Sequence, residues 1–160
     1  MRNIEPNNDL DATDRAILRL LQKNGSLPNA KLAEVLSLSV TPCWRRLKRL
    51  EDEGYIKGYH AELDRRKLGL GISTFVLLGF ERTENPAKTL EDALAAYPEV
   101  TSCYMISGTA DYVLQVVAAD LDAYGEFVEK VLRVLPGIRS IQSNFVLREI
   151  KSQNSFPVPD

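Results

Sequence analysis

Four cationic side chains fall within five consecutive residues in the first third of the chain. They are Arg45, Arg46, Lys48 and Arg49. On a helix, at about 100° per residue, Cys43, Leu47 and Leu50 form an apolar stripe. Arg45, Lys48 and Arg49 then lie on the opposite side, and Arg46 lies on a flank. A helix with one apolar side and one basic side is the shape that the DNA major groove accepts. The alternative is a solvated amphipathic helix whose cations balance the acids that follow it.

The DNA interpretation assigns different tasks to different positions of this helix. The residues expected nearest the base edges are Thr41, Trp44, Arg45 and Lys48, whereas Arg46 and Arg49 are expected to lean toward phosphate. Ser39 and Pro42 belong to the same candidate interface because they begin the helix. Proline is tolerated there, since amides of the first turn have no hydrogen-bond partner within the helix.

A second candidate site is the turn between Ser107 and Tyr112. Glycine at position 108 lets backbone amides approach a carboxylate closely, and Asp111 can hold an ammonium group by a charge-assisted hydrogen bond. Tyr112 offers an apolar ring with a polar tip. These are the partners that a free amino acid requires. The residues alone nevertheless favour a simpler interpretation, an ordinary hairpin turn.

Little in the chain suggests catalysis or a metal centre. It has one histidine, two isolated cysteines and no glycine-rich phosphate loop. No His, Cys and carboxylate cluster has the spacing of metal ligands. An enzyme using Asp111 as a base is conceivable, but no partner acid is identifiable, so we expect a protein that is not an enzyme and has no metal or cofactor.

The candidate helix belongs to a predicted three-helix domain over residues 11–54. Asp11 and Asp14 can cap the first helix, Asn24-Gly25 ends it, and Pro28-Asn29 opens a shorter second helix. A tight turn leads to the third helix, which Ser39 or Thr41 caps. Two helices joined by so short a turn predict a helix-turn-helix.

Residues 1–10 are predicted to be a flexible tail, and residues 55–70 a linker strand with Gly69 and Gly71 near its end. The next domain, residues 71–151, alternates strand and helix patterns in the order βαββαβ, and residues 152–160 form a C-terminal tail. The segments are strands at 72–80, 100–106, 111–118 and 138–150, with helices at 86–97 and 121–135. This order predicts an α+β, ferredoxin-like fold: a four-stranded antiparallel sheet with both helices on one face.

The other face of that sheet has nothing in the chain to cover it, so a second copy is expected there. Net charge also divides along the chain. Residues 1–60 contain 10 Lys/Arg and 8 Asp/Glu, a balance of +2, which leaves 10 and 14, or −4, for residues 61–160. A mildly basic first part joined to an acidic second part is typical of a DNA-binding head on a separate body. No apolar run approaches the length that spans a membrane, so we expect no membrane partner. The two cysteines are isolated in sequence, which favours a reduced, cytoplasmic setting.

The motifs resemble those of the Lrp/AsnC, or feast/famine, family. They include Leu10-Asp11-x-x-Asp14, the helix that begins Ser39-x-Thr41-Pro42, the Gly54-x-Ile56 exit and the Gly108-x-x-Asp111-Tyr112 turn. Leu135-Pro136-Gly137 precedes the last strand in the same manner. The resemblance extends from about residue 10 to residue 151, in matching order.

The resemblance implies an oligomeric regulator of transcription in amino-acid metabolism, with a winged-helix-like head and a body that dimerises and binds an amino acid. Its implied partners are double-stranded DNA, further copies in a dimer, tetramer or octamer, and a small amino acid bound at the turn. The implied effector-binding residues are Met105, Ser107, Gly108, Thr109, Asp111, Tyr112, Gln142 and Ser143. Thr41-Pro42-Cys43-Trp44 is similar to the DecR-type branch, which is associated with cysteine. An amino-acid sensor without DNA binding is the remaining alternative.

Overall fold

The structure, a computed structural model, describes residues 10–81, 90, 93–94, 96–151 and 155–159. The chain divides into two compact units. The first contains Met1–Glu62 with Ser152–Asp160, and the second contains Leu63–Lys151. No helix in the described ranges is long and apolar enough to cross a membrane.

The first unit contains the three predicted helices. They are α1 (Ala12–Lys23), α2 (Asn29–Val35) and α3 (Val40–Asp52). Asp11 caps α1 through a reciprocal pair of bonds: its side chain accepts from the Asp14 amide, and the Asp14 side chain accepts from the Asp11 amide. Ser39 lies at the N-cap of α3, but its side chain makes no capping hydrogen bond there.

A small apolar core joins these three helices. Ile17 and Leu21 of α1 meet Leu32 of α2 and the predicted stripe of α3, where Cys43 and Leu50 are fully buried. Burial also raises the pKa of the Cys43 thiol. The stripe therefore packs inward as predicted, and the polar side of α3 is left facing outward.

The prediction of a linker strand over residues 55–70 needs correction. Gly54, with φ of +76°, ends α3, and the Ile56 amide then donates to the Leu50 carbonyl. Residues 57–70 form no strand, and residues 65–69 are turns. A strand needs hydrogen bonds from a neighbouring backbone, and the described chain places none beside this segment.

The structure describes residue 10 of the first predicted tail and residues 155–159 of the second. Of the predicted tail 1–10, residues 1–9 lie outside the described residues. In the predicted tail 152–160, Phe156 exchanges two hydrogen bonds with the Gln22 side chain, and the Val158 carbonyl accepts from Arg19. The last described residues therefore lie against α1 in the first unit.

The second unit is a four-stranded antiparallel sheet in the order β2-β3-β1-β4. Its strands are β1 (Ile72–Phe80), β2 (Val100–Met105), β3 (Tyr112–Ala118) and β4 (Ile138–Phe145). The order is that of the predicted ferredoxin-like arrangement, with the first and third strands in the centre.

Several boundaries differ from those predicted, including those of β2, which ends one residue before 106, and β3, which begins one residue after 111. β4 ends at Phe145 and not at residue 150, because β1 begins at Ile72 and offers no partner beyond the bond from the Val146 amide to the Ser73 carbonyl. The predicted helix 121–135 is α4 (Leu121–Phe127) followed by a π-helical turn, Val128–Leu132. Most of the predicted helix 86–97 lies outside the described residues, although positions 90, 93 and 94 are helical.

One face of the sheet holds the core of this unit. Val76, Leu78 and Phe80 of β1 pack with Leu114 of β3 and with Leu132 beyond α4. The opposite face is more exposed: Phe75 is 44% exposed and Tyr104 is 62% exposed, with Leu77 and Val113 partly buried between them. This open face contains apolar side chains that nothing in the described part of the chain covers.

Candidate functional site

The polar side of α3 presents a mixed set of groups to solvent. Thr41, Pro42, Trp44 and Arg45 are exposed at its beginning, on the side away from the buried Cys43. Trp44 is 54% exposed, which is unusual because tryptophan is largely buried in most folded proteins. This end of α3 is therefore a convex surface with an aromatic ring and a cation side by side.

The four cations of α3 are not equivalent in the structure. Lys48 lies 3.2 Å from Asp52 and 3.5 Å from Glu51 on its own helix, and the bond to Asp52 raises its pKa first of all. Arg46 and Arg49 reach back to α1. Arg45 makes no ion pair with any residue that the structure describes.

Arg46 and Arg49 share the carboxylate of Asp14, one on each oxygen. Arg46 Nη1 lies 2.9 Å from Asp14 Oδ1, and Arg49 Nη2 lies 2.5 Å from Asp14 Oδ2. Arg46 also donates to Asp11, at 2.6 Å. The bonds to Asp11 and then Asp14 raise the pKa of Arg46, while the Asp14 amide and then Arg46 lower the pKa of Asp11. The two arginines thus join α3 to α1.

This network adds a role that the sequence did not suggest for Arg46 and Arg49. Each guanidinium has five N–H donors, so an ion pair to Asp14 leaves donors that can face a phosphate. Contact of these two residues with phosphate remains a prediction. The spacing that could have indicated the network is Asp11-x-x-Asp14 followed by arginines on a helix expected to pack against it.

The turn between β2 and β3 is held to β1 through Asp111. The Asp111 amide donates to the Leu78 carbonyl at 2.9 Å, and its carboxylate accepts from the Phe80 amide at 2.7 Å. The carboxylate thereby occupies a place where a strand carbonyl would normally accept. Its second oxygen has no hydrogen-bond donor among the described residues. Asp111 is exposed, so this oxygen is available to a ligand.

Gly108 has the backbone conformation that made it a candidate. Its φ of +126° is one that other residues rarely adopt, and a Cβ there would meet nothing within 4 Å. Ser107 and Thr109, on either side, are exposed. The turn is therefore an open loop whose shape depends on glycine.

The remaining predicted effector residues do not all converge on this turn. Tyr112 is 5% exposed and packs edge-on against the Phe80 ring, 5.4 Å away, so its ring belongs to the core. Gln142 and Ser143 are successive residues of β4 and point to opposite faces of the sheet. Ser143 bonds to the Tyr124 hydroxyl on the helix side. Gln142 pairs in register with Leu77 on the open face, and Met105 is exposed at the end of β2.

Sequence reasoning missed Gly79 of β1 and its neighbours on β4, Arg139 and Ser140. Gly79 lies between Leu78 and Phe80, the two residues bound by Asp111, and pairs in register with Ser140. A Cβ on Gly79 would lie 2.5 Å from Ser140 Oγ and 3.4 Å from Arg139 Nη2. A glycine inside an apolar strand is the signal that could have indicated this close approach.

Both units match domain families of known proteins. The sequence pattern of the Lrp/AsnC ligand binding domain matches residues 73–156, and that of a winged helix-turn-helix DNA-binding domain matches residues 10–57. The chain is 37% identical over 153 residues to the DNA-binding transcriptional activator DecR of Escherichia coli, covering 93% of this chain and 99% of the relative. It is 39% identical over 151 residues to the Bkd operon transcriptional regulator of Pseudomonas aeruginosa, covering 94% and 99%.

A solved structure matches equally well. The crystal structure of a Neisseria meningitidis transcriptional regulator in complex with L-Met superposes with a TM-score of 0.90 at 39% identity, over 92% of this chain and 96% of that one. A helix-turn-helix head with an outward basic helix, an antiparallel βαββαβ body and these relatives agree with one another. The chain therefore belongs to the Lrp/AsnC family of DNA-binding transcriptional regulators.

Proposed function

We propose that this protein regulates genes of amino-acid metabolism by reading DNA with α3 and binding a free amino acid at the turn between β2 and β3. The observation on which the DNA part rests is Arg45. It is exposed beside Trp44 at the beginning of α3, and no carboxylate in the described chain neutralises it. A guanidinium in that position can donate two bonds to a guanine edge.

The Asp14 network supports the same proposal from the other side of α3. Reading a base edge requires a helix whose position is fixed to a fraction of an ångström. Asp14, 1% exposed, fixes α3 to α1 through Arg46 and Arg49. Arg45 then reads the DNA, Lys48 contributes positive charge nearby, and Arg46 and Arg49 hold the helix while their outer donors face phosphate.

The proposed effector is an α-amino acid. The neisserial relative was crystallised with L-Met, and the free oxygen of Asp111 is suited to an ammonium group. Ser107, Gly108 and Thr109 supply exposed backbone beside it. Cysteine, implied by the DecR-type resemblance, has no support from the relative with L-Met, so the effector's side chain is left open between these and other amino acids.

The open face of the sheet supports a homodimer as the working unit. Phe75, Leu77, Tyr104 and Val113 form an apolar patch on the face opposite the core. A second copy can cover the same patch on both partners at once, as twofold symmetry requires. Two copies also supply two α3 helices for half-sites about one helical turn of DNA apart. Higher assembly, to a tetramer or octamer, and a cytoplasmic setting complete the proposal.

An in vitro selection tests the regulator against its alternatives. The purified full chain is mixed with a random duplex library, and the enriched sequences are measured by fluorescence anisotropy with and without each standard amino acid. We expect the protein to bind an enriched DNA sequence with nanomolar affinity. At least one amino acid should change that affinity, and it should be recovered chemically unaltered. Absence of an enriched sequence, with amino-acid binding retained, would favour the sensor without DNA binding. Chemical conversion of the amino acid would favour an enzyme.

A further inference from the structure

The outer side of α3 has an apolar part that the reading of DNA by Arg45 does not use. Val40 and Trp44 are each more than half exposed, although both side chains are large and apolar. They are four residues apart, so they lie on the same face of the helix. Neither is among the described residues that form the core of the three helices or pack against it. The beginning of α3 therefore presents an apolar pair to solvent.

The apolar pair lies where a recognition helix meets the bases. In a helix-turn-helix, the N-terminal residues of the second helix contact base edges, and Val40 is the first residue of α3. The side-chain amide of Asn29, at the beginning of α2, donates to the Val40 carbonyl at 3.2 Å. This bond joins the beginnings of the two helices and so helps to fix the position of the pair.

The major groove offers one methyl group to such a pair, the 5-methyl group of thymine. The polar groups on the base edges there are hydrogen-bond donors and acceptors. An apolar side chain packed against those groups would leave them without partners. Packing against a methyl group instead removes apolar surface of both molecules from water. Val40 and Trp44 are therefore better suited to thymine than to the other three bases.

The charges beside the pair favour DNA over a protein partner. Arg45 follows Trp44 directly and makes no ion pair with any residue that the structure describes. Lys48, which pairs with Asp52 of its own helix, lies one turn beyond Trp44. The centre of a protein interface is depleted in charged residues. Cations beside an apolar contact instead match the phosphates that border a groove of DNA.

We propose that Val40 and Trp44 recognise the 5-methyl group of a thymine in each half-site of the target DNA. This inference rests on the proposed reading of DNA by α3 and adds an apolar contact to the polar one made by Arg45. It predicts that the protein distinguishes thymine from uracil, which pairs with adenine in the same way but lacks the methyl group. Loss of that group should weaken binding about fourfold. This corresponds to about 0.8 kcal/mol, the scale of one buried methylene group.

Deoxyuridine substitution in the enriched duplex tests this inference. Each thymine is replaced singly by deoxyuridine, and fluorescence anisotropy measures binding of the full chain at low salt, where phosphate contacts keep weak variants measurable. We expect at least one substitution in each half-site to weaken wild-type binding about fourfold. The double variant Val40→Ala, Trp44→Ala should bind the thymine and deoxyuridine duplexes equally. Alanine favours a helix, so this variant should fold, and Trp44→Phe should keep part of the preference.

The matched control is Phe156→Ala, which removes an exposed aromatic ring of the same unit from a residue that bonds to Gln22 through its backbone. It should keep the preference for thymine, and circular dichroism should show that all variants are folded.

Four results would overturn the inference while leaving DNA binding by α3 intact. The first three are equal wild-type affinity for the thymine duplex and every deoxyuridine duplex, an enriched sequence without thymine, and a double variant that keeps the preference. The fourth is a lower mass of the double variant in light scattering without DNA, which would place the pair against a second copy. If no duplex is enriched, the proposed DNA reading fails and this inference fails with it.

Discussion

Asp14 Oδ2 on α1 lies 2.5 Å from Arg49 Nη2 on α3, with the aspartate buried and the arginine partly exposed. Arg46 holds the other oxygen of the same carboxylate. The two helices are therefore joined by a charge cluster whose anion is inside the domain and whose cations reach the surface that is proposed to face DNA.

Replacing Asp14 with Asn should destabilise the first unit. Two guanidinium groups would lose a buried charge partner, at a cost of roughly 2–3 kcal/mol, because the arginines remain partly solvated. Urea unfolding of the full chain provides the measurement. Glu34→Gln is the control, since it removes an exposed carboxylate paired with Lys31 on α2 and should cost under about 1 kcal/mol. Equal unfolding midpoints for the two variants would contradict a structural role of Asp14.

Changing Arg45 to Ala should weaken binding to the selected DNA site by about 1–3 kcal/mol and relax its sequence preference. The reason is that Arg45 is proposed to bind a base edge. Lys31→Ala, on α2, serves as the control for loss of one positive charge. Anisotropy measured at several salt concentrations separates the two effects, because a lost phosphate contact also reduces the salt dependence. Wild-type discrimination between sites in Arg45→Ala would remove this residue from the reading surface.

The Asp111→Ala variant should bind the effector at least tenfold more weakly, because the ammonium loses a charged hydrogen bond of about 1.5–3 kcal/mol. DNA binding without effector should persist. Asp111→Asn separates two roles, since its amide oxygen can still accept from the Phe80 amide while the charge is gone. Calorimetry with the tightest standard amino acid measures both. Unchanged affinity in Asp111→Ala would place the effector elsewhere.

The protein should be at least a dimer at micromolar concentration, through the open face of the sheet. The double change Phe75→Arg and Tyr104→Arg should shift light scattering toward the monomer mass, because burying two new cations without partners is unfavourable. Leu121→Arg, an exposed apolar residue on α4, should leave the mass unchanged. Reducing agent should have no effect, since both cysteines are free thiols. A monomeric wild type would refute the covered face.

The contribution of Tyr59 to the free energy of unfolding should decrease at alkaline pH. Burial and then a hydrogen bond to Glu51 raise the pKa of Tyr59 to about 12, above the usual value near 10. A raised folded pKa contributes stability that is present below about pH 10 and is lost as pH rises toward 12. Unfolding midpoints at pH 9 and 11 should therefore converge between wild type and Tyr59→Phe. Parallel values at the two pH values would show that Tyr59 does not titrate differently in the folded state.

The fold followed from local sequence signals to a large extent. The Asp11 cap, the Gly54 stop and the Cys43 and Leu50 stripe each depend on residues close in sequence, and α1 and α3 lie where these signals place them. β1 coincides with the apolar run 72–80 for the same reason. The family resemblance was confirmed by the matches to both domains.

The candidate sites depended more on tertiary structure. Sequence could place Arg45, Arg46 and Arg49 on one helix, but their division into one unpaired cation and two held by Asp14 arises from how α1 and α3 pack. Likewise, Asp111 could be found from its turn, whereas its bonds to Leu78 and Phe80 of β1 could not.

The physical reason lies in the range of the interactions involved. Capping, helical periodicity and strand alternation act over a few residues and are written along the chain. The bonds of Asp111 to Leu78 and Phe80, and the pairing of Gly79 with Ser140, depend on the register of three strands that are distant in sequence. That register is set by the packing of the whole sheet, so the sequence determined the elements and the positions of candidate charges, and the tertiary structure decided which charges remain free to bind.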